Sequence, residues 1–452
     1  MSSARWSSQV AFYLAGVGAA VGLGSIWRFP YLTGSLGGSA FVFVFLIAIL
    51  AIATPLLVAE YMIGRQSRRN PAQAAGDIAA SFGRSRAWNA IGLFGLWTAI
   101  LIMSYYTIIA GWVMAYIWKC GSGELTSLAR SEVPGYFHAF LAQPIAIGGW
   151  HLAFILLVAV ISAGGVSKGI EVATKIRAPG LMILLIILMC YALTKGNVHR
   201  GLTFAFTPEF GRLSGGVILA AVGQAFFATG VGMGMMLAYG AYVPAGVSLI
   251  RSSLIVSGSI LLVSLLATVI IFPLVFEYGL DPAQGPDLVF NVLPIAFAEM
   301  PVGRLIGTLF FVLLLLSALT PTLAGLEPLV AWLQERHRMS RAKAAFAGAG
   351  FVWVLGIPSV LSFNRWAGWH PFAAIPRLKT MTVFDTLDFA SSNLMLTLGA
   401  VLTCIFIGWR LPRSFADLGL PEESSVARYI ILLLLRYVCP VGIVAVLVAG
   451  IV

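Results

Sequence analysis

Gly16-Val17-Gly18-Ala19-Ala20-Val21-Gly22-Leu23-Gly24-Ser25-Ile26-Trp27-Arg28-Phe29-Pro30 lies inside a long apolar run, where a membrane-spanning helix would be expected to continue unbroken. Four glycines fall within nine residues, Gly16 to Gly24, and an arginine and a proline follow. Glycine weakens a helix, and an arginine at membrane depth is costly unless it faces protein or water. Non-helical backbone survives in a bilayer only where protein buries it or it lines a cavity. The stretch therefore reads as a binding site made from a broken helix, enclosed by the remaining chain.

The surrounding composition sets the class. Of 452 residues, 60% are hydrophobic and only 10% charged, and the mean hydropathy is +0.95. Soluble domains carry about 25% charged residues, so this is an integral membrane protein whose main partner is the lipid bilayer. Continuous apolar runs of roughly 20 residues, without a period of two, imply helices and exclude a barrel. The net charge of +11 comes from basic residues clustered in short loops, as the positive-inside rule predicts, and nucleic-acid binding is excluded. Cys120, Cys190, Cys404 and Cys439 show no paired spacing, so neither disulfides nor a metal site is expected. Arg5 precedes an apolar run with no cleavage pattern, which reads as a retained first span.

Eleven spans are expected. Span 1 covers about 10–36, interrupted near 20–24, and span 2 about 39–63, before a basic loop with Arg65, Arg68, Arg69, Arg84 and Arg86. Span 3 covers about 88–118, and the loop 120–149 is polar and punctuated by Gly and Pro. Spans 4 and 5 cover about 150–163 and 170–194, with Lys168 between them and Lys175 and Arg177 just inside span 5. Span 6, about 215–242, is interrupted at Gly230, Gly232 and Gly234. Span 7, 249–276, is followed by an acidic stretch with Glu277, Asp281, Asp287 and Glu299. Spans 8 to 11 cover about 303–333, 344–361, 384–409 and 429–452. The loops after spans 2, 4, 8 and 10 are the basic ones, which puts the N-terminus in the cytoplasm and the C-terminus outside an inner (plasma) membrane.

Two glycine-broken spans five apart point to an inverted repeat with its site at the repeat interface. The alternative, that these glycines only allow close packing, fits less well, because packing glycines recur every four residues and these cluster. The expected fold is an all-α integral membrane protein, a five-plus-five inverted-repeat transporter with discontinuous helices 1 and 6. A single transmembrane domain covers 1–452, with repeat one about 10–194, repeat two about 215–410 and an extra span about 429–452.

The run from Ala20 to Tyr31 resembles the span 1 signature of the neurotransmitter:sodium symporter family. Agreeing stretches follow in order: Tyr105-Tyr106, Ser167-Lys168-Gly169-Ile170-Glu171, Gly223-Gln224-Ala225-Phe226-Phe227, Phe272-Pro273 and Leu319-Thr320. The resemblance spans nearly the whole chain. It implies secondary active transport of an amino acid or related small amine, driven by sodium, with eleven spans as in bacterial members.

It also implies roles for residues. The amides of Leu23 and Gly24, where span 1 restarts, would receive a substrate carboxylate at a positive helix end, with Tyr106 as a further donor. Ala20, Ile102, Phe227, Gly230, Met233, Pro321 and Gly325 would complete the pocket. Gly230 and Gly325 stand where the family can carry larger side chains, which suggests a bulky apolar amino acid as substrate. Arg28 and Asp388 would form the outer gate, with Gln224 supporting Arg28. Trp6, Arg5, Tyr242 and Glu335 resemble the cytoplasmic gate, although the family's arginine normally falls where this chain has Ser3.

The ion sites depart from the pattern. For the second sodium site, Gly18, Val21 and Ser317 would supply carbonyls and Thr320 a hydroxyl, but the second hydroxyl position is Pro321. Thr322 points about 100° away on an unbroken helix, while proline frees a carbonyl one turn earlier. The first site has Ser25 and Ala228, and in span 7 a position near Ser259-Ile260, where the family has its side-chain ligands. Phe45 replaces a family tyrosine, so no chloride is expected. Two readings stay open: sodium-coupled symport of an amino acid, or the same fold with altered coupling (sodium-independent, proton-coupled or exchanging) or a non-amino-acid substrate. His138, His151, His199, His337 and His370 are scattered without a metal-ligand pattern, and an enzyme is not expected. The chain is read as a monomer or homodimer.

Overall fold

The computed structural model describes residues 6–283, 288–375 and 378–451. Arg5 and Asp287 lie outside the described residues. Every regular element among the described residues is helical. Nine are long and apolar enough to cross a bilayer: Ser39–Ser67, Arg86–Gly121, Pro144–Ala163, Glu171–Lys195, Leu249–Glu277, Gly303–His337, Arg341–Ser362, Val383–Arg410 and Ser425–Ala445. Two further apolar segments are broken, of which the first pair passes the same length and composition test as one bent span. Gln9–Ala20 and Gly24–Ser35 are bent by 49°, and Gly215–Thr229 is followed by Met235–Gly240. In chain order these are spans 1 to 11. Two discontinuous spans five apart are consistent with the inverted repeat.

Burial sorts the spans into an inner and an outer set. The most apolar windows of spans 3 and 8 are 78% and 72% buried, against 28% for spans 5 and 11. Spans 3 and 8 therefore flank the breaks, and spans 5 and 11 face lipid along most of their length.

The segments expected as loops hold more helix than their polarity suggested. Pro71–Ser81 forms in the basic loop because extended Asn70 leads into a proline at the first helical position, where its missing N–H costs nothing. Val133–Leu141 and Leu288–Glu299 form in the loops after spans 3 and 7. They pack together: the Phe290 ring lies 5.4 Å from Phe137 and 5.3 Å from Tyr116. Apolar surface, not loop polarity, decided these segments.

The breaks differ in cause. In span 1, Val21 is extended (φ −77°, ψ 98°) and ends the first half. Its glycines keep negative φ and are needed for space: a Cβ on Gly22 would lie 2.7 Å from Pro321 Cγ and 2.9 Å from the Tyr106 hydroxyl. In span 6, Gly230, Gly232 and Gly234 take φ of +66°, +86° and +70°, a region that side-chain-bearing residues rarely enter.

Candidate functional site: a pocket between two broken helices

Of the residues expected at the pocket, Ala20 and Gly24 of span 1, Ile102 and Tyr106 of span 3, Phe227 and Met233 of span 6 and Pro321 of span 8 line one cavity. Ala19, Gly22, Met103, Ala228 and Met235 complete the lining. Leu23 contributes through its main chain, its N–H donating to the Tyr106 hydroxyl at 3.1 Å. Tyr106 is thus held by the amide row at the start of the second half of span 1, where a carboxylate is favoured. Gly230 and Gly325 do not leave the open room expected of them. A Cβ on Gly325 would lie 2.7 Å from Met103 Sδ, and one on Gly230 would run into the end of Met235. The two methionines fill that space, leaving a cavity of about 30 Å³, enough for a couple of waters. The pocket is contracted.

One end of the pocket is closed by a polar cluster. Arg28 Nη2 lies 3.3 Å from Asp388 Oδ2, and Arg28 Nη1 donates to Ser392 Oγ at 3.0 Å. The hydroxyls of Tyr105 and Ser392 each donate to Asp388 Oδ1 at 3.0 Å. The guanidinium also stacks 4.3 Å above the Phe227 ring, which ties this closure to the pocket wall. Gln224 does not support Arg28 as expected; its amide donates at 2.6 Å to Gly24 O, a carbonyl that also accepts the Phe29 N–H at the start of the second half of span 1.

The opposite end is closed by Trp6, buried against Tyr239 with ring centroids 5.1 Å apart, its main-chain N–H donating to Tyr242 O at 3.3 Å and its indole N–H to Tyr239 O at 3.5 Å. The acid here differs from the one expected. Tyr242 donates to Glu327 Oε1 at 3.2 Å, and Glu327 takes both Arg341 nitrogens at 2.8 and 2.6 Å. Glu335 instead accepts from the Asn70 amide. Glu327 is fully buried on the inner face of span 8, whereas Glu335 lies two turns further along, near the helix end.

Below the break, the carbonyls expected to face a sodium ion face Arg177 of span 5, a side chain with no expected role at the site. Arg177 donates from Nη1 to Gly18 O at 3.1 Å, from Nη2 to Val21 O, and from Nε to Leu316 O at 2.7 Å. The span 8 carbonyl in this set belongs to Leu316, one residue before the expected carbonyl of Ser317. Thr320 donates to Gly18 O at 2.7 Å. A sodium ion does not fit beside this arrangement, because donors already point at these carbonyls. Two unit charges about 4 Å apart also repel by roughly 4 kcal/mol at an effective dielectric near 20. At the first ion position Ser25 Oγ is buried with no hydrogen-bond partner among the described residues, and Ala228 and Ile260 offer only carbon.

Span 6 has its own buried ligand, also missed in the sequence. Glu60 of span 2 accepts from the Gly232 N–H at 2.6 Å and fixes the unwound segment.

The sequence profile of the sodium:neurotransmitter symporter family matches residues 3–129 and 143–452. The chain belongs to this family. YhdH, a sodium-dependent transporter of Bacillus subtilis (strain 168), is 34% identical over 445 residues, covering 98% of this chain and 96% of its own. A sodium-dependent transporter of Haemophilus influenzae is 34% identical over 413 residues, covering 90% of this chain and 89% of its own. The crystal structure of MhsT in complex with L-phenylalanine superposes with a TM-score of 0.92 at 37% identity, covering 99% of both chains. Family membership makes the protein a multi-pass membrane transporter and not an enzyme.

Proposed function

We propose that the protein carries a large apolar amino acid through the membrane by alternating access. The observation that supports this reading is the pocket itself. An amide row and the Tyr106 hydroxyl form its polar end, and Ile102, Met103, Phe227, Met233 and Met235 form an apolar wall. A carboxylate fits the first and a hydrophobic side chain the second. MhsT, similar over its whole length, holds L-phenylalanine. Repeats of about 10–194 and 215–410 would rock about the two breaks, opening the Arg28–Asp388 cluster outward and the Trp6–Tyr242 closure inward. The basic loops after spans 2, 4, 8 and 10 support a cytoplasmic Trp6 end in an inner (plasma) membrane.

Family and relatives support sodium-coupled symport as the driving reaction. The occupation of the Gly18 and Val21 carbonyls by Arg177 favours the second reading, altered coupling, for that one ion position. Chloride dependence is not proposed: Phe45 is fully buried, 4.6 Å from the Phe29 ring, and brings no anion donor. Uptake into reconstituted vesicles, with sodium, potassium or pH gradients imposed separately, tests the reading. Leucine, phenylalanine and tryptophan should compete well, and preference for glycine or alanine would sink the substrate proposal.

A further inference from the structure

Arg177 is only 2% exposed, and among the described residues it forms no ion pair. The other arginines drawn inside have carboxylate partners: Arg28 with Asp388, Arg65 with Glu422 and Arg341 with Glu327. The nearest basic neighbour in sequence, Lys175, pairs with Glu171 at 2.7 Å. A buried cation without an anion must be stabilised by dipoles. Arg177 meets three carbonyls, one for each guanidinium nitrogen.

The identity of those carbonyls carries the argument. Gly18 and Val21 lie at the C-terminal end of the first half of span 1, where the helix dipole is negative and carbonyls lack helical partners. Leu316 belongs to span 8. This is a cation cradle by construction, and its planar three-way demand suits a guanidinium. Gly18 has no side chain where one would meet Thr174 Cγ2 at 2.9 Å and Arg177 Nη1 at 3.3 Å, so the approach of span 5 is built into span 1. Pro321 stands where the resemblance expects a second hydroxyl, so the cradle offers fewer side-chain oxygens, which a guanidinium held by three carbonyls does not miss.

We propose that the Arg177 guanidinium is the resident cation of this cradle and replaces a bound sodium ion there. Spans 1 and 8 are then linked by a charge that belongs covalently to span 5. This link is released when span 5 moves, not when an ion dissociates, and that part of the cycle draws nothing from a sodium gradient. The consequence for transport rests on the transporter reading above; the occupancy of the cradle does not.

The test is thermal unfolding of the purified full-length protein in equimolar sodium, potassium or choline chloride without substrate. Emptying the cradle with Arg177→Ala or Arg177→Met should create a saturable, sodium-specific rise in melting temperature of about 2 °C or more beyond any shown by the unmodified protein, because an ion that binds the native state stabilises it. Variants that respond to sodium no more than the unmodified protein would overturn the proposal. Should neither variant fold, hydrogen exchange of the unmodified protein decides. Amides of residues 18–24 should exchange equally in sodium and choline, and sodium-specific slowing there would mean that the ion displaces Arg177. Adding leucine, phenylalanine or tryptophan to the same samples reads the substrate proposal separately. Failure of all three to stabilise the protein would sink that reading and leave the salt comparison intact.

Discussion

Spans 1 and 6 both break at glycine clusters, yet glycine is there for different reasons. In span 6 the backbone passes through left-handed conformations at Gly230, Gly232 and Gly234. Span 1 opens at Val21, and its glycines admit neighbours: Thr174 and Arg177 at Gly18, Pro321 and Tyr106 at Gly22. Their supports differ as well. The span 6 segment is pinned by the Glu60 carboxylate. Span 1 is pinned from both sides, by Arg177 on its carbonyls and Tyr106 on the Leu23 amide. One break depends on torsion angles and the other on close approach, so the same substitution should fail differently in each.

Gly232→Ala should have the largest effect on stability. It combines φ of +86° with a Cβ 2.6 Å from Leu396 O, and together strain and overpacking should cost about 3 kcal/mol. A melting temperature within a degree of the unmodified protein would remove the torsional half of the comparison. Gly22→Ala carries no torsional strain, so it should fold but bind phenylalanine about a hundredfold more weakly, about 2.7 kcal/mol, in equilibrium binding. Equal damage to folding and binding would erase the distinction. Tyr106→Phe leaves the space unchanged and removes one partner of the amide row, so affinity should drop about tenfold, the scale of a hydrogen bond to a charged group. That drop should vanish for an amine lacking the carboxylate. Glu60→Gln keeps an acceptor for the Gly232 N–H and should lower stability by only about 1 kcal/mol, whereas Glu60→Ala strands that donor and should cost roughly 1–3 kcal/mol.

What the sequence made legible was carried by side-chain type at membrane depth. The paired breaks, the Arg28–Asp388 closure and the pocket wall all announce themselves as glycine, charge or aromatic in apolar runs. Arg177 obeys the same rule as Arg28, but it follows Lys168 and Lys175 and was absorbed into a span edge. Its partners are main-chain carbonyls, which no residue type advertises. Glu327 and Glu335 lie eight residues apart on one helix, and only the packing of Arg341 from the next span identifies which acid Tyr242 meets. The helices in the loops after spans 3 and 7 depended on contacts between two distant segments, Phe137 with Phe290, that local pattern could not contain.

The filling of the glycine spaces by Met103 and Met235 has a bearing on discrimination. A wall of branched residues sets a sharp size limit, because rotamer changes there are few and costly. Unbranched thioethers withdraw in small increments across several torsions. A plot of affinity against substrate side-chain volume should therefore rise and fall gradually, with leucine, phenylalanine and tryptophan as neighbours on one curve. On the proposed reading, latitude for large cargo would then come from how far two sulfur-bearing arms retract.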